Sequence, residues 1–330
     1  MLPEKGNEMA VQKTNFTFPS SSKAGVTLNC FRYLDDTKDP VGVVMITHGL
    51  SECIEMFEDQ AVFLAENGYI CAGMDFLGHG TTNGPGCVGI APDDTNEAIW
   101  KDMFTLYNLL RDEYPELPVF SFAHSMGAMM VRAFLAMYGP QLDIKAAFFT
   151  GDSHLPSLMY KIVPAANVLG RMISHYPEDL EKRRATFVLK DYGQDPPLLR
   201  CLPFFWIAFD RQDIINYLNS PYSGGANADL RNVIGFALKA LSCFAYADKK
   251  GWAENVPDNT VLHHGCGMWD IPGLLSLGPR LIHRDLKKAG KKTELHFYLR
   301  AMHEVHAEMG IRNEFHADLL KLFNDNNPLL

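Results

Sequence analysis

The stretch Pro118-Val119-Phe120-Ser121-Phe122-Ala123-His124-Ser125-Met126-Gly127 decides the fold. Its first half is an apolar run of the length of a buried strand, and Met126 to Met137 carry apolar residues at helical spacing. Between them, Ala123 and Gly127 stand two before and two after a serine. Small residues there let the chain turn sharply from strand to helix, which exposes the serine hydroxyl at the top of a sheet. The same turn sets Ser125 at a helix N-terminus, where free backbone N–H groups favour developing negative charge. Small-x-Ser-x-Gly alone recurs by accident; the strand before it and the helix after it give it meaning. Ser125 is therefore the candidate nucleophile, and the Met126 amide a candidate oxyanion donor.

The flanking sequence has the same rhythm. Gly42 to Thr47 reads as a buried strand ending at His48-Gly49. A helix from about Met56 to Glu66, closed by Gly68, leads to a strand at Tyr69 to Met74 that ends at Asp75. A helix over Asn96 to Arg111 stops before Pro115, and Lys145 to Thr150 is strand again. Such alternation predicts an α/β fold, a mostly parallel central sheet flanked by helices, with ligands bound beyond the carboxyl ends of the strands. The rhythm breaks from Ser153 to about Asn255, which holds several prolines, the cluster Phe204-Phe205-Trp206 and helical patterns without strands. It resumes with a strand at Thr260 to His264, a helix at Leu274 to Ala289, a strand at Thr293 to Leu299 and a helix from Ile311 to Phe323. The expected organisation is a core of residues 1–152 and 256–330 with an inserted helical cap at 153–255.

Hydrophobic residues make up 47% of the 330 and charged residues 21%, enough for a large core. A net charge of −9 without a lysine or arginine block argues against nucleic acid and against purely electrostatic attraction to anionic lipid. No apolar run reaches membrane-spanning length, so no stable membrane insertion is expected, only transient lipid contact through the cap. The cysteines at 30, 53, 71, 87, 201, 243 and 266 are scattered, with no Cys-x-x-Cys pair, which suits free thiols in a reducing cytosol. Met1 to Lys13 is polar and lacks the apolar region of a signal peptide, so a cytoplasmic location is expected.

Four strings in order, Thr47-His48-Gly49-Leu50-Ser51-Glu52, Asp75-Phe76-Leu77-Gly78-His79-Gly80, His124-Ser125-Met126-Gly127 and Ala301-Met302-His303-Glu304-Val305, make a more specific pattern. In these the chain resembles the bacterial form of the monoacylglycerol lipase and lysophospholipase branch of the α/β-hydrolases. The cap looks similar only around Phe209 to Leu218 and Asn232 to Leu241. Ala123 departs from the usual glycine, which is tolerable where φ stays negative.

The resemblance implies an α/β-hydrolase fold, no cofactor, no metal, and a triad in the chain order Ser, Asp or Glu, His. His303 follows a strand and precedes the last helix, the expected place of the base; His296 and His306 are less well placed. The spacing of His303 and His306 does not suit a zinc helix, which needs two histidines four apart. The second oxyanion donor should follow the first buried strand, which points to the Leu50 amide, with His48 a packed residue. Asp75 and His79 look inviting for catalysis but lie in a loop that is structural in this family.

For the acid, the family places an aspartate three residues after the glycine that ends the strand. With the strand ended at His264-Gly265 that residue is Met268, so choosing Asp270 requires a two-residue expansion over Cys266 to Trp269. Asp270-Ile271-Pro272-Gly273 imitates the expected turn, and Asp152 is the alternative acid.

The implied function is a serine hydrolase cleaving carboxylic esters of monoacylglycerol, lysophospholipid or other small acyl type, with the acyl ester as its small-molecule partner. The apolar string Leu202 to Phe209 either lines an acyl tunnel or packs the cap onto the sheet. Two other readings stay open. One is an amidase or peptidase with the same triad, for which Glu178, Asp179 and Glu181 offer counter-charge to a free amino group. The other is a non-catalytic ligand-binding protein on the hydrolase fold.

Overall fold

A computed structural model describes residues 11–156, 161–177, 180–190, 193, 198–225 and 227–330. Among them one sheet runs through β1 (Val11–Pro19), β2 (Thr27–Asp35), β3 (Gly42–Thr47), β4 (Tyr69–Met74), β5 (Val119–His124), β6 (Ile144–Thr150), β7 (Val261–Gly267) and β8 (Thr293–Tyr298). Its spatial order is β1-β2-β4-β3-β5-β6-β7-β8. The pairs from β4 to β8 are parallel, while β1–β2 and β2–β4 are antiparallel.

Every residue of β3, β4 and β5 is buried, which is why these strands read as unbroken apolar runs: helices cover both faces. The helices include α1 (Glu58–Ala65), α2 (Thr95–Glu113), α3 (Met126–Tyr138), α4 (Val163–Ile173), α5 (Arg211–Asn219), α6 (Leu230–Lys239), α7 (Leu241–Tyr246), α8 (Leu277–Lys288) and α9 (Arg312–Asp325). Val43 and Met45 point into one core, shared with α2, α3 and α8; Val44 and Ile46 point into the other, shared with α1 and α9. Successive side chains of a strand face opposite ways, so one six-residue strand serves both layers.

The sheet extends further than the sequence reading began it. That reading started at Gly42, whereas β1 and β2 precede it. β1 is an edge strand, largely exposed, and its Gln-Lys-Thr-Asn run carries no apolar alternation to recognise. Between β6 and β7 the described residues form helices and turns only. Leu241, Phe244, Trp252 and Val256, from the end of this segment, join the same core as α2 and α3. No helix among the described residues is long and apolar enough to cross a membrane.

Candidate active site

Ser125 links β5 to α3 with φ 52° and ψ −118°, a left-handed conformation that costs a non-glycine residue on the order of 1–3 kcal/mol. The surroundings hold it there. The Ser125 amide donates to the Thr150 carbonyl at 2.8 Å, and α3 starts at the next residue. A Cβ on Gly127 would collide with the Thr47 carbonyl and lie 2.6 Å from that of His48, so α3 leaves directly over the end of β3. Ala123 is fully buried and its φ is not positive, which leaves room for its methyl group. Gly127→Ala is expected to destabilise the fold by about 2–3 kcal/mol, because strand carbonyls cannot retreat as a flexible side chain would. Thermal unfolding checks this.

His303 and Asp270 meet Ser125 from separate loops. His303 Nε2 lies 2.8 Å from Ser125 Oγ, and its Nδ1 lies 2.8 Å from Asp270 Oδ1. Since a carboxylate only accepts, Nδ1–H donates to Asp270 and Nε2 is free to accept from the hydroxyl. Asp270 is fully buried and also accepts from the Gly273 amide at 3.0 Å.

The strand end differs from the sequence expectation. β7 continues to Gly267, paired with Tyr298 of β8, so Asp270 stands three residues past the strand-ending glycine and no loop expansion is needed. Gly267 is the residue that must lack a side chain, since a Cβ there would collide with the Met302 carbonyl where the His303 loop crosses. The expected helix at Leu274 also begins later, at Leu277. Leu274, Leu275 and Ser276 have φ of 55°, 53° and 68°, and the Leu275 amide donates to the Asp270 carbonyl at 2.7 Å as the loop wraps around this residue.

Asp152 is held elsewhere. Its carboxylate lies 2.8 Å from Arg132 Nε and 3.3 Å from His264 Nδ1, and the guanidinium also reaches Asp248 at 3.2 Å. Both Asp152 and Arg132 are fully buried. Burial alone would raise the Asp152 carboxyl, but Arg132 and His264 outweigh it and hold it below the ordinary value.

Around Ser125, two amides stand out by contrast with their neighbours. The Gly49 amide donates to Glu52 Oε2 at 2.5 Å and the Ser125 amide to Thr150, whereas those of Leu50 and Met126 donate to no group among the described residues. His48 is fully buried: its Nδ1 lies 2.8 Å from the Gly49 carbonyl and its Nε2 accepts from the Phe76 amide at 3.1 Å. Asp75 accepts from the amides of Ile54 and Thr81 at 2.8 and 2.7 Å, and His79 packs edge-on against Phe236. Both hold loops together.

Of the other histidines, His296 lies 3.4 Å from Glu314, and His306 stacks on Phe57 with ring centres 4.4 Å apart. Glu52, Glu304 and His306 bring buried donor atoms within 4.8 Å of one another, a grouping without local sequence signal because its members come from opposite ends of the chain. In the string Leu202 to Phe209, Trp206 sits over His303 with ring centres 5.4 Å apart and Ile207 is buried, whereas Leu202, Phe205 and Phe209 are exposed. Glu178 and Asp179 lie outside the described residues, and Glu181 pairs with Arg184 at 2.6 Å.

The sheet order, the strained strand-to-helix turn and the Asp–His–Ser row define this protein as an α/β-hydrolase by fold. Comparison with known proteins finds partial matches in sequence and fuller ones in fold. Residues 38–192 match the family model described as serine aminopeptidase, S33. A monoacylglycerol lipase of Mycolicibacterium smegmatis is 27% identical over 162 residues, 48% of this chain and 56% of that protein. The chain thus spans about half the length of this curated relative. Among solved structures, a thermostable carboxyl esterase of Bacillus coagulans superposes with a TM-score of 0.73 at 21% identity, covering 98% of this chain and all of the esterase. A monoglyceride lipase of Saccharomyces cerevisiae gives 0.65 at 17% identity, covering 94% of this chain and 97% of that one. By fold the protein is an α/β-hydrolase, and part of its sequence is similar to a monoacylglycerol lipase.

Proposed function

We propose that this protein is a serine hydrolase that cleaves carboxylic esters of a single acyl chain, monoacylglycerol or lysophospholipid in type, through an acyl-enzyme. The observation that carries this is the continuous row Asp270–His303–Ser125 with both hydrogen bonds at 2.8 Å. In the first step His303 Nε2 takes the Ser125 proton as Oγ attacks the ester carbonyl, and the Leu50 and Met126 amides receive the oxyanion. Asp270 stabilises the resulting imidazolium. His303 then returns the proton to the departing alcohol. In the second step it deprotonates a water that releases the acid and restores Ser125. A helical cap over residues 153–255 would supply the acyl-chain surface, with Trp206 nearest the base. The seven cysteines are unpaired and buried, which supports a cytoplasmic setting.

Hydrolysis of p-nitrophenyl esters from acetate to palmitate, with Ser125→Ala as the blank, tests the reading. Turnover that vanishes in the blank and peaks at a medium or long acyl chain is the expected result. The match to a family named for aminopeptidases favours a second reading, cleavage of small amides with the same triad. Turnover of amino-acid p-nitroanilides without ester turnover would select it. Well-folded protein inert to both would point to a ligand-binding role.

A further inference from the structure

Glu52 is almost fully buried beside the reacting groups, yet the proposed mechanism gives it no role. Its two oxygens serve two separate parts of the site. Oε2 accepts the Gly49 amide, which precedes the free amide of Leu50, and Oε1 lies 3.4 Å from His124 Nε2. His124 is the residue before Ser125, fully buried, with its Nδ1 3.0 Å from Thr150 Oγ1. Among the described residues its Nε2 has no hydrogen-bond partner other than what Glu52 can offer it. One carboxyl thus spans the loop after β3 and the turn after β5, the two places from which the oxyanion donors come.

Resting on the serine-hydrolase reading, we propose that Glu52 is a positioning residue that works as a neutral acid, its carboxyl O–H donating to His124 Nε2 while its other oxygen holds the Gly49 amide. Geometry supports the neutral form. A second buried carboxyl, Glu304, and the His306 ring come within 4.8 Å, too close for two bare carboxylates. The other titratable groups facing the pair are Tyr217 and Asp213 on α5, with Glu308 beyond Glu304; Arg312, which lines the same cavity, is paired with Asp59. Burial, opposed by the Gly49 amide, pushes Glu52 up to about 8, and burial with the surrounding acids raises Glu304 well above its ordinary value. Burial also keeps His124 neutral, free to accept at Nε2 while its Nδ1–H donates to Thr150. A cavity of 360 Å³ lined by Asp213, Tyr217, Glu304 and His306 gives solvent protons a route to the cluster.

The consequence concerns the oxyanion. As pH rises through the value at which Glu52 loses its proton, a negative charge appears one residue from Leu50 and opposes the charge developing in the transition state. Turnover should therefore fall on the alkaline side, centred near pH 8. Glutamine mimics the neutral acid, accepting from Gly49 and donating to His124, but cannot ionise. Glu52→Gln is expected to retain most of the activity and to lose the alkaline fall. Glu52→Ala frees the Gly49 amide and should lower kcat by about 10²-fold with KM within a few-fold, the scale of a misplaced oxyanion donor. Assays run in EDTA, so that a proton rather than a divalent cation neutralises the cluster. Infrared difference spectra of wild type against Glu52→Gln supply a readout independent of activity, a protonated-carboxyl stretch present at pH 7 and gone at pH 10. The same alkaline fall in Glu52→Gln, wild-type kcat in Glu52→Ala, activity abolished by EDTA, or absence of the stretch would each overturn the proposal. Wild-type protein that shows the stretch but no Ser125-dependent turnover would instead sink the serine-hydrolase reading beneath it.

Discussion

Ser125→Ala is expected to lower ester turnover by about 10⁴-fold or more while leaving the fold intact. The asymmetry follows from the geometry. Among the described residues the hydroxyl is the one nucleophilic atom within hydrogen-bond reach of His303 Nε2, so its removal should end acyl-enzyme formation and leave only what substrate binding and the free amides supply. Structurally the variant loses one part-exposed hydrogen bond, a net contribution of about 1 kcal/mol. Gly127 and the Thr150 carbonyl, which set the turn, are untouched. Single-turnover kinetics with a p-nitrophenyl ester, thermal unfolding and labelling by a fluorophosphonate check the three parts. Retained turnover with unchanged unfolding would remove Ser125 from the mechanism.

Asp270→Asn and Asp152→Asn should fail in opposite ways. Asparagine at 270 no longer holds the proton on His303 Nδ1 by charge and cannot stabilise the imidazolium, so kcat should fall by roughly 10³- to 10⁴-fold with little change in unfolding temperature. Asparagine at 152 leaves the fully buried Arg132 without one of its two carboxylates. Breaking a buried pair on one side costs about 3–5 kcal/mol, so this variant should unfold early while its folded fraction turns over normally.

Asp152 also has a pH signature. Its folded pKa lies below the ordinary value, so its stabilisation is complete above about pH 4 and is lost as pH falls through the lowered folded value. The Asp152→Asn variant should lack that segment of the acid-unfolding curve. Equal losses of kcat in both variants would contradict the separation of acid and structural aspartate.

The division between what sequence shows and what it hides follows the range of the interactions. β3, β4 and β5 are legible because each is buried over its whole length, and a strand covered on both faces must be apolar at every position. The turn at Ser125 is legible because its strain is met by near neighbours of small size, Ala123 and Gly127, within five residues. His303 is placed by the strand before it and the helix after it, again local signals.

Beyond that range the tertiary structure decides. β1 is made a strand mainly by pairing with β2, since only Phe16 and Phe18 at its end alternate with polar residues. The end of β7 is set by β8, through the pairing of Gly267 with Tyr298, and this places Asp270 at the ordinary spacing after its glycine. Two aspartates at strand ends look alike in sequence; Arg132, projecting from α3, takes one of them and leaves the other to His303. The meeting of Glu52, His124 and Glu304 has no local trace, because each carboxyl reads as a surface residue until the sheet folds its loop over the other. Periodicity and turn chemistry are properties of neighbouring residues and determine the sheet and the elbow at Ser125. Charge pairing and proton sharing in a buried site belong to residues that only the folded chain brings together.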